Sequence, residues 1–185
     1  MKIFTVTFVL LLSAGFSLLS QTKDLVVIDE NVEKIDLLKG AMNRNAEVLL
    51  VNEESEIWFE IYRLVTSNPE ITQVHLLLPA AEGELFICGA AFDEHSIGDV
   101  FDLKLLKDKD ISLLFYGSNL AEVDEGKNLV NKISELTHLH IAASTTTTAG
   151  QNAGGDWNLE YQSDDKAVIE PLFNADLLTD YPYNF

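Results

Sequence analysis

The stretch Ile111-Ser112-Leu113-Leu114-Phe115-Tyr116-Gly117-Ser118-Asn119 decides the fold. A continuous apolar run of this kind fits a strand buried on both faces of a parallel sheet. It stops at Gly-Ser-Asn, and helical spacing resumes beyond. In open α/β sheets, ligands and chemistry collect at the carboxyl ends of the strands. Ser118 therefore stands where a functional side chain would be presented. Tyr116, Gly117 and Asn119 beside it make a candidate binding rim.

Outward from that strand, strands alternate with helices. Residues 25–28 (Leu-Val-Val-Ile) read as a buried strand, and Asp29 or Asn31 can cap a helix carrying Val32, Ile35, Leu38 and Met42. Residues 46–51 read as a second buried strand. Glu53 and Glu54 are expected to open the next helix, where carboxylates complement the positive end of the dipole. Its apolar face is Ile57, Trp58, Ile61, Leu64 and Val65, and Asn68-Pro69 stops it. A third strand over 71–78 ends at Pro79, which has no N–H for a ladder. Residues 84–88, with those after Gly89, read as a small hairpin. Ile97, Val100, Phe101 and Leu105 suggest a helix leading into Ile111.

Beyond Asn119 a helix carries Val123, Val130, Ile133 and Leu136, and Ser118 and Asn119 are suited to satisfy its N-terminus. Residues 140–144 read as another strand, and Thr145 to Thr148, with Gly150, as a polar loop. Trp157, Leu159 and Tyr161 alternate as in a half-buried strand. After Pro171 a helical turn at 176–178 and a loose end are expected. The order βαβ implies an α/β protein: a mainly parallel, doubly wound sheet with helices on both faces, plus a small hairpin and a C-terminal strand.

Composition sets the outer limits. The chain has 185 residues, 47% hydrophobic and 23% charged, enough for one domain with a real core. A net charge of −18 gives no electrostatic case for nucleic acid or an anionic membrane surface. Lys2, the apolar run 3–12 and small residues up to Ser20 describe a secretory signal peptide over residues 1–20. The expected organisation is then a domain over 21–165 and a C-terminal tail over 166–185, secreted or periplasmic, with no membrane contact after cleavage. Cys88 is the single cysteine, so no internal disulfide forms, and its strand-like setting suits a small packing residue.

From about Leu25 to Tyr161 the chain resembles an uncharacterised caspase-like domain family of large secreted and adhesin-type bacterial proteins. The matching pieces are Val26-Val27-Ile28-Asp29, Val74-His75-Leu76, Leu114-Phe115-Tyr116-Gly117 with Asn119, Ala142-Ala143-Ser144-Thr145, and Gly154-Gly155-Asp156-Trp157 with Leu159-Glu160. The resemblance implies a caspase-like fold, similar to cysteine peptidases with a His–Cys dyad. The dyad is a His-Gly pair ending the third strand and a Cys after Tyr-Gly on the fourth. Here those positions hold Pro79-Ala80 and Ser118, so neither catalytic role carries over.

No other histidine fills the gap. His75 lies four residues before Pro79 in its strand, roughly 13 Å away and beyond hydrogen-bond reach. His138 and His140 fall at the opposite end of the sheet, and their spacing alone completes no metal site. His95 belongs to a solvated Asp-Glu-His loop. There is no G-x-S-x-G elbow, no phosphate-cradling loop, and no H-E-x-x-H or EF-hand series, so no cofactor or metal is implied. Three readings stand. One is a catalytically inactive binding or interaction module for an extracytoplasmic protein or peptide, using the rim near Pro79, Ser118 and Asn119. The others are a residual hydrolase with Ser118 as nucleophile, and a structural surface protein.

Overall fold

A computed structural model describes residues 23–43, 45–165 and 169–184. The expected signal peptide lies outside them. One sheet of six strands organises the chain: β1 (Lys23–Asp29), β2 (Ala46–Val51), β3 (Ile71–Leu77), β7 (Ser112–Phe115), β8 (His140–Ala143) and β9 (Tyr161–Gln162). Their order is β2-β1-β3-β7-β8-β9, all parallel except β9, which runs antiparallel to β8. The order reverses at β1, which has β2 on one side and β3 on the other.

The pleat divides the core in two. Leu25 and Val27 of β1, Leu113 and Phe115 of β7, and Ile141 and Ala143 of β8 face one cluster, with Trp58, Ile61, Leu129 and Ile133 from helices α2 (Ile57–Ser67) and α3 (Asp124–Thr137). Val26, Ile28, Leu114, Tyr116 and Ala142 face the other, with Leu38 of α1 (Ile35–Ala41). Both faces are therefore covered, which is why these strands read as unbroken apolar runs. The second face is closed largely by the chain's last segment. Leu172, Phe173, Leu178 and Tyr181 are all buried there, and the Tyr181 hydroxyl donates to the Glu33 carbonyl at 2.6 Å. The turn expected at 176–178 forms, as a 3-10 turn over Ala175–Leu178, but the end beyond it is not loose.

Four local expectations need correction. β2 is the sheet's edge: only Val51 is buried, and Leu50 is 49% exposed. Helix α2 begins at Ile57, not at Glu53, because Asn52 Oδ1 accepts the Glu54 N–H and Ser55 Oγ the Asn52 N–H, holding a turn. Asp29 likewise caps no helix. Its Oδ1 takes the N–H of Asn31, and α1 starts only after Lys34, which lies in the left-handed region. Finally, the helix expected around Phe101 is two 3-10 turns, Ile97–Asp99 and Asp102–Leu106. Ile97, Val100, Leu103 and Leu106 recur every third residue, the 3-10 period, and Phe101 is left 75% exposed.

The hairpin forms and gains a strand. β4 (Ala80–Ala81), β5 (Glu84–Ile87) and β6 (Ala90–Phe92) make an antiparallel sheet that continues directly from Pro79. Of the expected strand around Trp157 only β9 forms; residues 157–160 are irregular. Among the described residues, no helix is long and apolar enough to cross a membrane.

Candidate functional site

Pairing of β3 with β7 brings the ends of those strands together. The contact is close: a Cβ on Gly117 would stand 2.3 Å from Ala80 Cβ and 3.0 Å from the Leu78 carbonyl. Only glycine fits there. Pro79 is half-buried, and its carbonyl accepts the Phe86 N–H, so the turn after β3 is committed to the small sheet.

Ser118 is 7% exposed, and its Oγ accepts the backbone N–H of Thr148 at 3.0 Å. Among the described residues, no imidazole or carboxylate bonds that hydroxyl. Nor does it cap α3. The helix starts six residues later, after Val123, with no side-chain cap, and its first turn carries Asp124 and Glu125. Negative charge there complements the helix dipole and leaves no site for an anion.

Asn119 joins two loops by hydrogen bonds. It sits at φ 58°, a conformation asparagine tolerates. Its N–H donates to the Thr146 carbonyl at 2.9 Å, its Nδ2 to Glu122, and its Oδ1 accepts from the Thr147 hydroxyl. Ala121 N–H reaches the Ser144 carbonyl, and Ser144 Oγ donates to the Thr146 carbonyl. The polar run after β8 is thus laced to the loop after β7. Across it, Glu160 accepts from the Thr145 N–H and hydroxyl and from the Thr146 hydroxyl, and Asp156 also accepts from Thr146. Glu122, Asp156 and Glu160 make this rim acidic. The sequence flagged Gly-Gly-Asp-Trp and the threonine run separately; only the tertiary structure shows that they meet.

Tyr116 faces the second core cluster, where it also lines a cavity beside Trp157 and Leu159. It is 2% exposed in the second core face, and its hydroxyl pairs with His75 Nδ1 at 3.2 Å. Burial above all, and then the Asp24 charge, push its phenol well up. His75 Nε2 stands 3.6 Å from the fully buried carboxylate of Asp24. Asp24, His75 and Tyr116 therefore form a polar chain across β1, β3 and the end of β7, inside the sheet rather than at its rim. Such groups are tolerated in a core only when paired.

The remaining candidates are structural. His138 pairs with Asp108 at 2.8 Å and His140 with Asp164 at 2.7 Å. Asp93, whose carboxyl is held low chiefly by hydrogen bonds from Ser96, organises the turn around His95. Burial, and next the Asp29 charge, raise the Cys88 thiol, which favours the unreactive protonated form. Among the described residues, no group of three or more His, Cys, Asp or Glu could hold a metal ion.

The fold and this rim define an α/β domain whose strand-end loops are held by backbone and carboxylate hydrogen bonds. Residues 25–184 match the family described as a domain of unknown function, DUF4347, and the chain belongs to that family. No curated protein and no solved structure matches it.

Proposed function

We propose that this chain is a secreted, catalytically inactive, caspase-like domain that acts as a binding module. Its rim of Asn119, Glu122, Thr146, Asp156 and Glu160 takes a donor-rich, cationic segment of an extracytoplasmic protein. The observation that carries this reading is the hydrogen bond from Thr148 N–H to Ser118 Oγ, at the strand end where the resemblance expects a nucleophile. A serine hydroxyl needs an adjacent base to react. Here the opposite position is Pro79, which has no titratable group, and Ser118 is tied into the loop scaffold. The chemistry left at the surface is acceptor chemistry: carboxylates and hydroxyls on a chain of net charge −18. Such a surface favours positive partners by complementarity and steering.

Two measurements test this. A fluorogenic peptidase and esterase panel is run on the protein and on Ser118→Ala. Equal background signals are expected, and hydrolysis by the first but not the second restores the hydrolase reading. Capture from an extracytoplasmic fraction is then compared with capture by Glu160→Gln. The expected result is a partner lost at high salt and weakened by the variant. No salt-sensitive partner, or one indifferent to Glu160, would leave the structural-protein reading instead.

A further inference from the structure

Beside the acidic rim lies a groove of different chemistry. A cavity of about 730 Å³ is lined by residues of the turns Gln151–Ala153 and Ala175–Leu178, with Trp157 and Phe173. A second cavity of about 390 Å³ adjoins it, and the two share Trp157, Asn158 and Pro171. The indole of Trp157 thus borders both cavities. Both volumes fall within the range of small-ligand sites, about 300–1,000 Å³.

The lining selects a ligand class. Four primary amides contribute to the larger cavity: Asn43, Gln151, Asn158 and Asn174. Each amide offers both donors and acceptors, the pairing that hydroxyl groups need. Asp156 and Asp176 add strong acceptors. No lysine, arginine or histidine lines either cavity among the described residues, so an anion would find no counter-charge among them. A purely apolar ligand would strip water from the amides without replacing its hydrogen bonds, which is costly. A cation would be drawn to Asp156 and Asp176 but would leave the amide donors unused. The half-buried Trp157 supplies an apolar surface on which a ring's C–H face can lie.

The walls are also held in place before any ligand arrives. Gly150 N–H donates to the Tyr181 carbonyl and Asn152 N–H to the Thr179 carbonyl, tying one wall to the other. Asp156 Oδ1 accepts the Asn158 N–H, and Asn174 Oδ1 the Asp176 N–H. Trp157 is wedged edge-on against Phe173, with ring centroids 4.7 Å apart. Such preorganisation lowers the entropic cost of binding.

We infer that this groove binds a neutral oligosaccharide, laid across Trp157 with its hydroxyls paired to the flanking amides. The inference goes beyond the proposed cationic partner, since it concerns an adjoining surface, which meets the rim at Asp156, and another ligand class. It is tested by NMR on the ¹⁵N-labelled protein, whose two tryptophans give two indole N–H signals. The probes are cellotriose, maltotriose, chitotriose and xylotriose, with a sulfated heparin disaccharide as the anionic comparison. At least one neutral trisaccharide should move the Trp157 signal saturably, with a Kd at or below about 1 mM, and leave the buried Trp58 signal still. Trp157→Ala should weaken binding at least about tenfold. Trp157 is also a packing residue, so the exposed Asn158→Ala provides the second test and should weaken binding by about the same factor. Phe101→Ser, an exposed position outside both the groove and the acidic rim, should leave sugar binding unchanged. The inference falls if no neutral trisaccharide moves the Trp157 signal, if only the sulfated sugar does, or if Asn158→Ala binds as the parent does.

Discussion

The Ser118 hydroxyl accepts the backbone N–H of Thr148 at 3.0 Å, and both residues are buried. That one bond ties the end of β7 to the loop beyond β8. Replacing Ser118 by alanine removes the acceptor and leaves the amide of Thr148 buried without one. The expected loss is about 1–3 kcal/mol of stability, read from the urea midpoint at constant slope. A loss near zero would show that water or another acceptor reaches Thr148.

Gly126 sets helix propensity against packing. In an exposed helix, Gly→Ala gains about 1 kcal/mol. Here an added Cβ would fall 1.6 Å from the Leu120 carbonyl oxygen, in backbone that cannot swing aside. Packing should win: Gly126→Ala is expected to destabilise by at least about 2 kcal/mol. A higher melting temperature for this variant would mean that α3 and the 118–123 turn are not in such close contact.

Tyr181 predicts an alkaline limb. Burial first, then the charge of Glu33, push its phenol up to about 12 from an ordinary 10.0. Below pH 10 the phenol is neutral in folded and unfolded chains alike, and its contribution is fully present. Above that, the unfolded chain releases its proton first, so stability falls as pH rises through about 12. In Tyr181→Phe, ΔG measured by denaturant between pH 10 and 12 should fall less steeply than in the parent. Equal slopes would place the titrating group elsewhere.

The 3-10 segment offers a paired comparison. Leu103 is fully buried, whereas Phe101 is 75% exposed. Leu103→Ala should cost about 2–5 kcal/mol, and Phe101→Ser should stay within about 0.5 kcal/mol. The reverse ranking would restore the α-helical phase, which counts Phe101 among the residues facing the core.

Much of this fold is legible in local patterns. The apolar run from Ile111 to Tyr116 reads as a doubly covered strand because the sheet is buried on both faces at that point. β2 shows the limit of that logic: residues 46–51 have a similar composition, yet they form the edge, since a strand's place in the sheet is not written in its own residues. Phe101 failed for a related reason. Two apolar positions fit both a 3.6 and a 3.0 period, and packing against α2 and α3 selected the second.

At the site, sequence alone placed Gly117, Ser118 and Asn119 at a strand end and set Pro79 at the end of the third strand. Both follow from short-range rules of backbone geometry. The partners of these residues came only from tertiary structure. Thr148 lies 30 residues from Ser118, and Glu160 lies 15 from Thr145. His75 joins Tyr116 across 41 residues, and Tyr181 closes the second core face from 148 residues beyond Glu33. Hydrogen bonds of that span depend on which strands become neighbours. That choice is made by burying the two faces of one sheet together, not by any single segment.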